Sequence, residues 1–271
     1  MKKIIAFLIL MIFAGCQDKI NVNLDTAPPK LVVDANLTWQ KGTSGNQQTI
    51  KLTTTSNFYS NEIPKVSGAI VYVTNTSNNA IFTFVEIPST GNYICSDFVP
   101  VINQNYTLTI VNNGITYTAT EKLFATPAIE NVEQITLPGL TGDATQIKFF
   151  FQDNGAEDNF YSINFKNSNK VIPELNVVED KFFQGNQMFG LYFDDKIKAG
   201  DQLDMSLRGI SQKYFNYLSK LINISGGNNG SPFSTPPATL RGNIINQTDT
   251  ENYPLGYFNL SEIDTKNYVV Q

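Results

Sequence analysis

Tyr106-Thr107-Leu108-Thr109-Ile110-Val111-Asn112-Asn113-Gly114-Ile115-Thr116-Tyr117-Thr118-Ala119 is the stretch that decides the fold class. Apolar residues and threonines alternate on both sides of Asn113-Gly114, a dipeptide favoured in two-residue hairpin turns because both positions tolerate positive φ. The period is two rather than 3.6, so each half offers one row to a core and one to solvent. The stretch predicts a β-hairpin.

The same pattern extends upstream. Leu31 to Trp39, Gln48 to Thr54, Ala69 to Thr74, Ile81 to Ile87 and Gly91 to Cys95 read as short strands, with turn chemistry at Asn75-Thr76-Ser77-Asn78-Asn79. About seven short strands between regular turn signals predict an immunoglobulin-like sandwich over residues 30–125. Thr126-Pro127-Ala128 marks a junction, because the residue before proline is pushed out of helix and strands restart beyond it.

Residues 126–271 predict a second β-rich domain. Glu130 to Leu137 leads to a Pro138-Gly139 turn, and Gln146 to Phe151 and Phe160 to Phe165 are aromatic strands either side of an acidic turn, Asp153 to Asn159. Further strands are expected at Phe189 to Phe193 and Asp201 to Leu207, with closing strands at Leu240 to Ile245 and Leu255 to Leu260. One short amphipathic helix is expected near 211–222. Ser211 caps it, Tyr214, Phe215, Leu218, Leu221 and Ile222 share a face, and Gly226 to Gly230 ends it. Lys213 and Lys220 are too few cations for a membrane-lying helix, so the apolar face is expected on the second sheet. The fold class is mainly β: a sandwich followed by a β-rich domain carrying one helix.

The N-terminus predicts location. Lys2 and Lys3 precede an apolar run from Ile4 to Ala14, too short to span a bilayer, and Ala14-Gly15 stand before Cys16. This order is an export signal over residues 1–15, and small-small-Cys resembles the lipobox of bacterial lipoprotein signal peptides. Phe13 stands where a lipobox has an aliphatic residue. The resemblance implies cleavage before Cys16, a diacylglycerol thioether on its sulfur and an acyl chain such as palmitate on the new N-terminus. Residues 16–29, ending in Pro28-Pro29, then form an extended tether.

Composition narrows the chemistry. Loss of Lys2 and Lys3 with the signal leaves 17 basic residues against 24 acidic ones, a net charge of −7, which argues against nucleic acid as a partner. The sequence holds no histidine, which removes Ser-His and Cys-His pairs and imidazole metal ligands. Cys95 has no partner once Cys16 is acylated and reads as a small buried apolar residue. Asp153, Asn154, Glu157 and Asp158 are candidate oxygen ligands for calcium, although turns use the same residues. Asp194 and Asp195 are a candidate carboxylate pair, but adjacent strand residues point to opposite faces. Gly226 to Gly230 lacks the ending of a phosphate loop and reads as a connector. Phe149, Phe151, Tyr161 and Phe165 read as core, or as an exposed platform for a glycan or apolar ligand.

A family resemblance rests on segments spread along the chain: Leu31 to Ala35, Pro64 to Val71, Gly91 to Tyr93, the Tyr106 to Tyr117 hairpin, Asp158 to Tyr161, Tyr214 to Leu218, Ser231 to Phe233, Pro236-Pro237, Arg241 to Ile244 and Leu255 to Phe258. In this order they resemble uncharacterised Bacteroidota outer-membrane lipoproteins bearing a domain of unknown function, often encoded beside SusC-type TonB-dependent receptors. Ser67 to Val73 with Gly91 to Tyr93 is also similar to carboxypeptidase regulatory-type sandwiches. The likeness implies a lipid-anchored outer-membrane protein at the cell surface, or on the periplasmic leaflet given the single acid in Gln17-Asp18-Lys19. It supplies no catalytic residues. The expectation is a non-enzymatic accessory that binds a ligand or docks on a TonB-dependent β-barrel receptor. A cell-surface adhesin or structural assembly subunit is the alternative, and a carboxylate-based glycan hydrolase the third reading.

Overall fold

Asn113 and Gly114 adopt φ of 50° and 78°, the left-handed pair of a two-residue turn, and close a hairpin in which Asn112 faces Ile115. The computed structural model describes residues 28–57, 60, 62–137, 144–225 and 240–271. The expected signal peptide, Cys16, the tether before Pro28, the Pro138-Gly139 turn, Gly226 to Gly230 and the Pro232 to Pro237 loop lie outside these.

The first half holds β1 (Leu31–Gln40), β2 (Gln48–Thr54), β3 (Ile70–Asn75), β4 (Ile81–Ile87), β5 (Asn92–Cys95), β6 (Asn105–Asn112) and β7 (Ile115–Lys122). Two layers face each other, and β4 belongs to both: its Ile81–Phe84 stretch pairs with β3 and its Val85–Ile87 stretch with β5. Alternation sends Val33, Ala35 and Leu37 of β1 inward against Tyr106, Leu108 and Ile110 of β6. The expected mainly β sandwich is what forms.

The second half holds β8 (Val132–Leu137), β9 (Ala144–Gln152), β10 (Phe160–Asn167), β11 (Glu174–Glu179), β12 (Gln187–Asp194), β13 (Gln202–Ile210), helix α1 (Gln212–Ser225), β14 (Ile245–Asn246) and β15 (Leu255–Val269). Strands β12, β9 and β8 form a three-stranded sheet. Its Ile147, Phe149 and Phe151 pack against Tyr161, Ile163 and Phe165 of β10 and Leu203, Met205 and Leu207 of β13. Gly190 in β12 makes room for this packing, since a Cβ there would strike the Phe149 ring. The aromatic strands β9 and β10 therefore lie in different sheets. The acidic segment between them crosses the sandwich rather than closing a hairpin.

One strand ties the halves together. The larger sheet runs β11-β10-β13-β15-β1-β2-β5-β4-β3-β6-β7-β14. The first part of β15 lies parallel to β1, from Leu255 opposite Val32 to Ile263 opposite Gln40, while its last part lies antiparallel to β13. Gly256, at φ 94°, permits the approach, because a Cβ on it would collide with the Val33 carbonyl. Ile244, Phe258 and Leu260 complete the first core, and β14 pairs with β7. Residues 244–262 thus return to the first sandwich, which corrects a division that assigned all of 126–271 to a second domain. A parallel pair needs a long crossover, and local patterning carries no trace of it.

The junction is stitched to the same strand. The Glu262 carboxylate accepts the Thr126 N–H at 2.9 Å and the Lys41 ammonium at 2.9 Å. The Thr126 hydroxyl donates to the Glu262 carbonyl and accepts the Gly209 N–H at 2.7 Å. Asp264 accepts the Ile129 N–H at 2.6 Å.

Helix α1 covers the face of the large sheet that points away from both cores. Its Tyr214 and Leu218 are buried with Ile210 and Tyr257, flanked by Phe160, Leu175 and Val177. Ser211 caps it, accepting the Tyr214 N–H at 3.1 Å and donating at 3.0 Å to the buried Glu121 carboxylate. Burial pushes the Glu121 pKa up, outweighing the Lys122 N–H, Ser211 and Lys213, which pull it down.

Two outcomes follow from this packing. Thr126→Val should cost about 2–4 kcal/mol in urea unfolding, because the Gly209 N–H and the Glu262 carbonyl lose their buried partner. For Glu121, a raised folded-state pKa favours the neutral form, so stability falls as pH rises from the ordinary carboxylate range through the raised value. Glu121→Gln should therefore melt higher than wild type at about pH 8 and match it at about pH 4. Equal differences at both pH values would contradict this.

Candidate functional site

Strands β11 and β12 end their respective sheets, so one side of the second sandwich carries two unpaired backbone edges. Between them opens a cleft of about 580 Å³, floored by Ile163, Phe165 and Met188 and flanked by Val178, Phe183 and Leu191. Its polar rim comes from Glu174, Asn176 and Glu179 of β11.

The composition of β12 makes this edge unusual. Its inward row is Met188, Gly190, Tyr192 and Asp194, yet its outward row is also apolar: Phe189, Leu191 and Phe193 are 43%, 38% and 53% exposed. Phe150 of β9 extends the surface, with its ring centroid 6.2 Å from that of Phe189, and Lys148 lies 5.1 Å from the Phe189 centroid. Phe182 and Phe183, in the segment leading into β12, are also exposed. Edge strands ordinarily carry charge, proline or a bulge that discourages pairing. Here an apolar row on an unpaired edge adjoins an open cleft.

The residues singled out in the sequence are placed elsewhere. Phe149, Phe151, Tyr161 and Phe165 are fully buried, so they are core and not a platform. The exposed aromatics are those of β12 and the segment before it, which the sequence reading missed. Their signal was available as a strand apolar on both faces, Met188 to Phe193, but periodicity does not say which row meets solvent.

Asp153 is 4% exposed, and its two carboxylate oxygens accept the Tyr161 hydroxyl at 2.7 Å and the Gly185 N–H at 2.8 Å. Burial, then this carboxylate, pushes the Tyr161 hydroxyl pKa far up. Asn154 accepts the Ala156 N–H at 3.3 Å, and Asp158 accepts from Gln184 at 3.2 Å. Glu157 offers its carbonyl to the Asn159 amide. Among the described residues no group of three or more His, Cys, Asp or Glu is placed to hold a metal ion. The acidic segment is a crossover whose central carboxylate is committed to the fold.

Asp194 and Asp195 diverge, as strand geometry requires: Asp194 is buried and Asp195 exposed. Asp194 accepts the Lys170 ammonium at 2.7 Å, the Tyr192 hydroxyl at 2.8 Å and the Lys196 N–H at 2.8 Å. Burial pushes its pKa up, but these three donors together hold it below the usual value. Cys95 is 1% exposed, donates to Asp97 at 3.1 Å and has its thiol pKa pushed up to about 11 by burial and that carboxylate. A thiol held protonated is a poor nucleophile.

Asp153→Ala should destabilise the chain by about 2–4 kcal/mol, since the Tyr161 hydroxyl and the Gly185 N–H lose their acceptor. Millimolar calcium should leave the wild-type melting temperature unchanged. A calcium-dependent rise that Asp153→Ala abolishes would restore the cation reading.

Comparison with known proteins adds a family and little else. No curated protein sequence matches. Among solved structures, a two fibronectin type-III domain segment from chicken tenascin is 13% identical, with 67% of this chain and 90% of that one covered and a TM-score of 0.22. The chicken CNTN1 FN1–FN3 domains are 14% identical, with 69% and 63% covered and a TM-score of 0.27. Scores this low describe no shared arrangement of the whole chain. The model of the family described as "Domain of unknown function (DUF4249)" matches residues 17–267, and the chain belongs to that family.

Proposed function

We propose that the protein is a non-enzymatic, lipid-anchored accessory of the outer membrane, held by acylated Cys16, whose β11–β12 cleft receives an extended apolar segment of a TonB-dependent β-barrel receptor. The observation that carries the docking part is the outward Phe189-Leu191-Phe193 row on an unpaired edge strand. An extended segment suits this place because it supplies backbone donors and acceptors to the free edges and side chains to the cleft. The anchoring part is supported by the signal-like residues 1–15 followed by Cys16. Bacteroidota origin and a SusC-type partner come from the family resemblance. A chain without histidine and with its singled-out carboxylates engaged in structural contacts favours binding over catalysis.

The test is affinity capture from detergent-solubilised membranes. Wild type should co-purify a β-barrel protein, and Phe189→Asp with Phe193→Asp should lose it while keeping the wild-type melting temperature. In parallel, Cys16→Ser should move from the membrane to the soluble fraction. Recovery of the lipoprotein alone, or equal capture by the double variant, would contradict the docking reading. Membrane retention of Cys16→Ser would contradict the anchor.

A further inference from the structure

A second cavity lies on the opposite face of the large sheet, beneath helix α1, and its chemistry differs from that of the cleft. It encloses about 310 Å³, close to the lower size of a small-molecule site. Its polar lining is Arg208 of β13, Ser162 and Asn164 of β10, and Asn36 of β1. Its apolar walls are Tyr214 and Leu218 of α1, with Pro173 and Leu175 at the start of β11. Register explains the convergence. Arg208 stands opposite Ser162 across the β10–β13 pair, and adjacent partners point to the same face.

The guanidinium is the informative group. The ion pairs among the described residues are Lys41–Glu262 and Lys170–Asp194, and Arg208 belongs to neither. Burial lowers its pKa from the ordinary arginine value, with the neighbouring Tyr214 opposing. Beside it, Ser162, 5% exposed, also lines the cavity. Asn36 spends its side-chain oxygen on the Asn259 amide at 3.0 Å, which leaves its NH₂ for a ligand. Asp34 acts on the Tyr214 and Tyr217 hydroxyls but makes no ion pair with Arg208.

An arginine half-buried without an ion-paired carboxylate carries a desolvation cost that a bound anion would offset. Guanidinium presents a planar fork that matches a carboxylate through two parallel hydrogen bonds. The opposite wall is a tyrosine ring and two leucines, which suit an apolar body. We infer that the cavity beneath α1 binds a small organic carboxylate, its head held by Arg208 with Ser162 donating and its apolar body against Tyr214, Leu175 and Leu218. This site is separate from the β11–β12 cleft and does not depend on how that cleft is used.

Benzoate, benzamide and sulfate serve as probes in calorimetric titration of the purified full chain. Benzoate should bind at least about tenfold more tightly than neutral benzamide, the scale of one charge-assisted contact. Arg208→Met, which keeps the aliphatic stem, should abolish that preference without lowering the melting temperature. Ser162→Ala should weaken benzoate binding about fivefold, the loss of one hydrogen bond. Equal binding of benzoate and benzamide would overturn the proposal, as would binding of sulfate without benzoate. So would no benzoate signal up to about 10 mM, below the useful range of a specific site. A marked fall in melting temperature of ligand-free Arg208→Met would also overturn it, by showing that Arg208 supports the fold instead.

Discussion

Strand β15 is the constraint on which the rest of the structure depends. Its even-numbered residues Phe258 and Leu260 fill the first core, and Val270, just past its end, fills the second. Its odd-numbered residue Tyr257 faces the helix. Because one strand pairs with β1 over its first part and with β13 over its last, neither half can complete its sheet without it. The Glu262 and Asp264 carboxylates, at the point where the strand changes partner, hold the Thr126 and Ile129 backbone. The junction at Thr126-Pro127 is thereby fixed to β15.

That arrangement separates two surfaces. The three-stranded sheet covers the second core but leaves β12 at an open edge, where the exposed aromatic row lies. The far face of the large sheet is polar near its β11 edge, where Ser162, Asn164 and Arg208 line the cavity. Helix α1 seals its apolar end, at Ile210 and Tyr257, and roofs the polar part without filling it. The tyrosine-rich helix, expected from sequence to pack on the second sheet, spends Tyr214 and Leu218 on this packing.

Legibility in the sequence followed the range of the interactions. The β6–β7 hairpin and the strands of the first half were readable because alternation and turn residues act within a few positions, and Ser211 announced the helix through its cap. The parallel β1–β15 pair was not readable, since it joins the two ends of the chain and no local pattern encodes it. Strand β11 was missed because Leu175, Asn176, Val177 and Val178 are half-buried on both faces, which erases alternation. Asp153 looked like turn chemistry because nothing in its neighbours tells that Tyr161 and Gly185 meet it in the interior. Arg208 gave no sign at all, because its significance lies in what is absent around it in space.

The central claim is that β15 makes the two sandwiches one cooperative unit. Denaturant titration followed by two probes tests it directly. The single tryptophan, Trp39, packs against the first core, and amide exchange at Phe149, Phe165 and Met205 reports the second. Shared-strand coupling predicts coincident transitions and equal opening free energies for both cores. Two separated transitions, with one core intact while the other exchanges freely, would contradict it.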